Sequence, residues 1–348
     1  MLSKSRAAKP ATILDVAKLA KVSKSTVSNV IRGATGIAPA TKENVFKAID
    51  RLGYRPNLLA RQMVQQRTNV LGVVIGDLAN PFYAEMAKHI ERHASAAGYG
   101  VMFCDTQIDE LRELAGLRSL LDYRVAGLVF LAYAGDSDSE ALVKNSRTPS
   151  VFVTCMADWG DVVSADDEKG GRLATQHLLD LGHKRIAYIA DPSIEDAADQ
   201  ARAVGYRACM AASGLADAIY HWQGAEGRTL RELPIANLLS GDKRVTALFS
   251  ANDLGAIEIL DCADQLGIEV PRDLSIVGYD DIMLAGLRRI NLTTVRQPME
   301  TLARVAIETL KSRIAGELPS ALVRQTVDCS LIVRGSTARP SNKPPRKS

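Results

Sequence analysis

The sequence predicts two architectures in one chain of 348 residues: a small all-α helix-turn-helix headpiece, then an α/β core of two parallel-sheet subdomains. Three observations predict it. Thr12 to Gly33 reads as two short amphipathic helices joined by a tight turn. Charge divides along the chain: residues 1–66 hold twelve Lys or Arg against three Asp or Glu, a balance of +9, while the whole chain carries only +3, which leaves −6 for the rest. From Asn69 onward, short apolar runs alternate with helical stretches, the pattern of parallel sheets covered on both faces.

Composition sets the class. An apolar content of 47% and a charged content of 24% are those of a globular protein with room for two or three cores. No apolar core of signal-peptide length follows Met1, and no run approaches the roughly 18 apolar residues of a membrane span, so a cytoplasmic protein is expected. Cys104, Cys155, Cys209, Cys262 and Cys329 are scattered and odd in number, which predicts buried free thiols rather than a disulfide or metal framework.

Residues 1–11 read as a disordered basic arm. Thr12, followed three residues later by Asp15, caps the first helix, whose inner face is Val16, Ala17 and Ala20. Lys21-Val22 makes the turn. Ser23 caps a second helix with Val27, Val30 and Ile31 inward, leaving Lys24, Ser25, Thr26, Ser28 and Asn29 around its exposed start. An ordinary amphipathic helical hairpin is the competing, less favoured reading of the periodicity; the +9 charge weighs further against it and for a module that reads a polyanion, with polar donors reaching base edges and phosphates in the major groove. Ala40 to Leu52 forms a third helix with Val45, Ile49 and Leu52 inward, and with Ala38 as a weak cap. Leu58 to Met63 is a linker of slight helical tendency, too short to be stable alone.

In the core, the apolar runs are Val70–Ile75, Gly100–Cys104, Gly127–Leu131, Ser150–Thr154, Val162–Ser164, Ile186–Ile189, Ala247–Phe249 and Ser275–Val277. Helical segments such as Phe82–Ala97, Gly171–Leu181, Ala201–Ser213 and Asp253–Leu266 separate them, with Gly98, Gly182, Gly214 and Gly267 as C-cap glycines. So many strands need two sheets. Ligands in open α/β sheets lie beyond the carboxyl ends of the strands, and polar clusters stand there: Asp77 to Phe82, Asp166-Asp167, Asp191 to Asp199, Asn252-Asp253 and Asp280-Asp281. Carboxylates and amides converging on a cleft suit a polyhydroxylated ligand, and Arg202 adds a guanidinium. Each Asp has a competing reading as a helix cap or turn residue.

The pattern D-V-A-x-x-A-x-V-S-x-x-T-V-S from Asp15 to Ser28 resembles the headpiece of the LacI/GalR family of bacterial repressors. The resemblance runs on through Arg51-Leu52-Gly53-Tyr54-Arg55-Pro56-Asn57 and Ala60-Arg61, then over most of the chain. It implies an effector core similar to periplasmic sugar-binding proteins, with three crossings between subdomains near Asp166, Arg296 and Asp328. The divisions it implies are a DNA-binding domain at 12–56, a hinge at 57–68 and a core at 69–332. Within that core, one subdomain takes about 69–166 and 296–328, the other about 167–295 and 329–332, and a disordered tail follows at 333–348.

Carried over residue by residue, DNA contacts fall on Thr12, Ser23, Lys24, Ser25, Thr26, Asn29, Asn57, Ala60 and Met63. Met63 is the hinge side chain that wedges a central base step. Effector contacts fall on Phe82, Asp166, Arg202, Trp222, Asn252, Asp280 and Gln297, while Asp253 and Asp281 are structural. Three departures stand out: Lys21 replaces a usual Gly, Asn29 a usual Arg, and Arg32 a usual Asn. The implied function is a transcriptional repressor acting as a homodimer, with a tetramer left open, on a palindromic double-stranded DNA operator. A sugar or sugar acid controls it; a purine-like corepressor is the alternative, and a sugar-binding protein without a regulatory role a third reading. No cofactor is called for. An enzyme fits poorly, because neighbouring acids on a strand end point to different sides and no nucleophile–base pair stands out.

Overall fold

The computed structural model describes residues 11–31, 34–54, 68–135, 137–190, 197–221, 238 and 244–341 of the chain. They fall into two compact units, Met1–Arg67 and Thr68–Ser348.

The first unit holds α1 (Ile13–Ala20), α2 (Lys24–Ile31) and α3 (Pro39–Leu52). The capping box at Thr12 forms as its spacing requires: Asp15 Oδ2 accepts from the Thr12 amide at 2.8 Å, and Thr12 Oγ1 accepts from the Asp15 amide at 3.4 Å. α1 ends at Lys21, which takes left-handed backbone at φ 53°. Ser23 Oγ accepts from the Thr26 amide at 3.0 Å and so opens α2. Val16, Val27, Val30, Val45 and Ala48 form the small core. α3 begins at Pro39, one residue earlier than expected, because a first-turn position needs no N–H; Ala38 before it makes no side-chain cap.

The second unit contains two six-stranded sheets. The first sheet and its helices run β1 (Val70–Ile75), α4 (Pro81–Ala96), β2 (Gly100–Asp105), α5 (Glu110–Asp122), β3 (Gly127–Phe130), α6 (Ser137–Ser146), β4 (Ser150–Val153) and β5 (Asp161–Ala165). The second runs α7 (Asp167–Asp180), β6 (Ile186–Ala190), α8 (Ala197–Ala212), β7 (Ile219–His221), β8 (Ala247–Ser250), α9 (Asp253–Gln265), β9 (Ser275–Asp280), a 3-10 turn at Met283–Gly286 and β10 (Thr293–Arg296). α10 (Met299–Ala315) returns to the first sheet and leads to β11 (Arg324–Val327), after which β12 (Ser330–Ile332) joins the second.

Strand orders are β11-β5-β4-β3-β1-β2 and β12-β10-β9-β8-β6-β7, parallel throughout except for β12 against β10. The chain therefore changes sheet after Ala165, after Arg296 and between Val327 and Ser330. Strands such as β3, β4 and β9 are buried at every position, as helices on both faces of a parallel sheet demand. Among the described residues, no helix is long and apolar enough to cross a membrane.

The expectation of a disordered tail from residue 333 fails for its first part. Ser336 is buried: its Oγ donates to the Ile276 carbonyl at 2.6 Å and accepts from the Thr293 amide at 2.8 Å. The Ala338 amide donates to Ser275 Oγ at 3.0 Å, and the Ala338 carbonyl accepts from His183 Nε2 at 2.8 Å. Polar composition suggested solvent, but these residues find main-chain partners along the second sheet. α8 also begins at Ala197, four residues before the expected Ala201, so Arg202 sits in its second turn rather than opening the helix.

Candidate functional site

The carboxyl ends of the second sheet gather a buried polar cluster. α7 and α8 pack closely enough to build it: a Cβ on Gly171 would lie 2.2 Å from the Arg202 carbonyl oxygen, and one on Gly205 2.1 Å from that of Glu168. Only glycine permits such backbone contact. The approach sets Asp167, first residue of α7, against Arg202 of α8. Arg202 Nε donates to Asp167 Oδ1 at 2.8 Å, its Nη1 donates to the Ala251 carbonyl at 2.7 Å, and its guanidinium lies 3.9 Å from the centre of the Tyr279 ring.

β9 delivers Asp280 beside it. Asp280 has φ 116° and Asp281 φ 59°, so two consecutive non-glycine residues hold unfavourable backbone at the strand end. Surrounding contacts enforce that shape. Asp281 is clamped by Arg296 Nε and Arg334 Nη2, both at 2.6 Å, and the Gln297 amide donates to the Asp280 carbonyl at 3.3 Å. Gln297 Nε2 also donates to Asp280 Oδ1 at 2.7 Å. Burial pushes Asp280 up to about 7, against the pull of Arg202 and the Gln297 hydrogen bond. Asp253 is fully buried, accepting from Thr294 Oγ1 at 2.6 Å and from the Ile282 amide at 2.9 Å. Burial first, then the Asp280 charge, hold its carboxyl well above the ordinary carboxylate range.

Of the expected effector contacts, Arg202, Asp280 and Gln297 come together here. Asn252 caps α9, its Oδ1 accepting from the Gly255 amide at 2.7 Å, and half-buried Asp166 caps α7 through the Lys169 amide at 3.0 Å. Phe82 lies at the carboxyl edge of the first sheet, in the first turn of α4, with its amide on Asn80 Oδ1 at 3.0 Å and its ring edge-on to Tyr83. Trp222 is outside the described residues. Asp253 and Asp281 are engaged by structural partners. Sequence reasoning passed over Tyr279 and, within the Asp166-Asp167 cluster, chose Asp166: adjacent acids imply that one turns inward, but nothing in the sequence says which.

At the headpiece, Ser23, Lys24 and Ser25 are exposed at the start of α2, and Thr26 and Asn29 are half-buried behind them. Ser23 Oγ lies 2.7 Å from Ser25 Oγ and 2.8 Å from Thr26 Oγ1, which preorganises the hydroxyls. Thr12 Oγ1 donates to Asp15 Oδ2 at 2.7 Å. Asn57, Ala60 and Met63 are outside the described residues.

A basic helix-turn-helix headpiece followed by a two-sheet core with a buried polar site defines a DNA-binding regulator controlled through its core. Residues 12–57 match the family described as bacterial regulatory proteins, lacI family, and residues 175–337 match the periplasmic binding protein-like domain. The ribose operon repressor of Escherichia coli (strain K12) is 36% identical over 317 residues, spanning 87% of this chain and 93% of that protein. The HTH-type transcriptional repressor PurR of Aliivibrio salmonicida (strain LFI1238) is 34% identical, over 87% of this chain and 92% of its own. The solved structure of the lac repressor dimer bound to operator and the anti-inducer ONPF superposes with a TM-score of 0.80 at 26% identity, covering 95% of this chain and all of that one. The chain belongs to the lacI family of bacterial regulatory proteins: it is a transcriptional repressor with an effector-binding core, not an enzyme.

Proposed function

We propose that this repressor works in the cytoplasm as a homodimer on a palindromic operator and releases it when a sugar or sugar acid enters the core cleft. The observation that carries the effector half is the buried Arg202–Asp280–Gln297 cluster at the carboxyl ends of parallel strands. Arg202, Asn252 and Asp280 approach the ligand from the second sheet and Phe82 from the first, with Asp166, Gln297 and Trp222 completing the shell. The names of its relatives include both a ribose and a purine repressor, and the hydroxyl-binding reading suits a cluster of carboxylates and amides better.

On DNA, Lys24, Ser25 and Asn29 meet base edges, and Thr12, Ser23 and Thr26 meet phosphates. Asn in place of Arg at 29 favours adenine over guanine at the facing base pair. Asn57 and Ala60 belong to the hinge at 57–68, and Met63 is its minor-groove wedge. The DNA-binding domain takes 12–56, and the core, from 69 through at least Ala338, divides near 166, 296 and 328. Ligand closure alters the spacing of the paired hinges, and the coupling is reciprocal.

A gel-shift titration on DNA upstream of its own gene, at about 50 and about 200 mM salt, tests this reading. Specific binding that falls steeply with salt and is further weakened by a bound sugar is expected. Salt-insensitive binding, or stoichiometry of one chain per operator, refutes it.

A further inference from the structure

One carbonyl holds the chain twice where the core begins, and we infer that Thr68 is the positioning residue that fixes the root of the hinge and so sets the preference for operator over random DNA. This rests on residues 57–68 acting as the hinge. The two compact units meet in sequence between Arg67 and Thr68, so Thr68 is the first core residue after that segment. It is 4% exposed, while Asn69 beside it is open to solvent. Its hydroxyl donates to the Arg124 carbonyl at 2.9 Å, and its amide donates to the same oxygen at 3.3 Å. Strand pairing does not account for this: β1 begins only at Val70, and its pairing with β3 starts at Leu71 opposite Gly127.

Arg124 is held so as to present that oxygen. α5 has Tyr123 as its C-cap, and Arg124 after it takes left-handed backbone at φ 53°, a shape given to glycine after α4 at Gly98 and after α7 at Gly182. Its amide donates to the Leu121 carbonyl at 2.8 Å and the Val125 amide to that of Leu120 at 3.3 Å, which closes the helix end. The acceptor is therefore the fixed end of a helix. In the first turn of α5, Glu113 is buried and accepts from the Ala134 amide at 2.9 Å, beyond β3. One helix thus ties the hinge root to the carboxyl edge of the first sheet. The hinge itself is too short to hold a helix unaided. A fixed root removes part of the ordering that operator binding would otherwise have to supply. Without the Thr68 hydroxyl the root is free to fray in the unbound protein, and the operator complex has to order it again. Random DNA, held through its phosphates, makes no such demand.

Thr68→Val keeps the branched shape and removes the hydroxyl, whereas Thr68→Ser keeps the hydroxyl. Both are compared with the parent as full chains. The probes are the duplex that the parent selects from random DNA and a random duplex of equal length, at one salt concentration. Thr68→Val is expected to lower the ratio of operator to random affinity by about fivefold, the worth of one lost hydrogen bond, with random-DNA affinity unchanged. Thr68→Ser is expected to keep the parent ratio. A parent ratio in Thr68→Val, a serine variant as impaired as the valine one, or equal losses on both duplexes overturns the inference and leaves the hinge reading in place. A parent that selects no sequence overturns both.

Discussion

Arg202 and Asp167 form a buried ion pair, Nε to Oδ1 at 2.8 Å, with less than a tenth of either side chain exposed. Such a pair costs desolvation to form and more to break one-sidedly, because the survivor is left charged and unpaired. Arg202→Ala is therefore expected to destabilise the core by roughly 3–5 kcal/mol even without effector. In an Asp167→Asn background the same change should cost markedly less. A double-mutant cycle by urea unfolding measures this, and additive losses would show that the two residues do not stabilise each other.

Asp280 makes stability depend on pH. Its carboxyl titrates near 7 in the folded chain against an ordinary value of 3.8, so the folded state holds the proton to higher pH than the unfolded state does. Its contribution to stability is complete below about pH 4 and is lost as pH rises through about 7. Inside that window a fully differential proton is worth about 1.4 kcal/mol per pH unit. Urea midpoints of the parent and Asp280→Asn are expected to diverge from pH 4.5 to 8, the parent losing ground as pH rises. Asp280→Asn also removes the charge that helps hold the Asp253 carboxyl up, so the divergence reads the two neighbouring carboxyls together. Parallel curves would place the Asp280 titration at ordinary carboxylate values.

Lys21 pays a backbone penalty that the headpiece can shed. A β-carbon at φ 53° crowds the following carbonyl, and glycine is free of that crowding. Lys21→Gly is expected to stabilise the headpiece by about 1 kcal/mol, read as slower amide exchange in α1 and α2 of the intact chain. Lys21→Ala should give no such gain. Equal protection in the glycine and alanine variants would mean that charge, not backbone shape, sets the effect.

Legibility in the sequence tracked apolarity. β1 matches its expected bounds, Val70–Ile75, because six consecutive apolar or small residues admit little else. β10 and β11 were not foreseen, since T-T-V-R and R-Q-T-V look like loop. Thr293 and Thr294 are nonetheless fully buried, with hydroxyls meeting the Arg334 amide and Asp253. β11 is an exposed edge strand whose pairing to β5 is written in no local pattern. At the site, the strand-end rule and the family motif located Asp280 and Arg202. The inward turn of Asp167 depends on glycine-mediated contact between α7 and α8, 31 residues apart in sequence at Gly171 and Arg202, and only the folded chain displays it.

Between β11 and β12, Asp328 and Cys329 are the whole of the link from one sheet to the other. Three Cα–Cα steps from Val327 to Ser330 reach at most about 11 Å. So short a tether forbids the subdomains from sliding or drawing apart at that edge, and leaves them rotation about it. Cys329 is itself fixed, its thiol 3.3 Å from the hydroxyl of Tyr279, the ring on which Arg202 rests. The link and the Arg202–Tyr279 contact are thus neighbours, so a displacement at Arg202 acts close to that axis and reappears, amplified, as an angle at the far end of each subdomain.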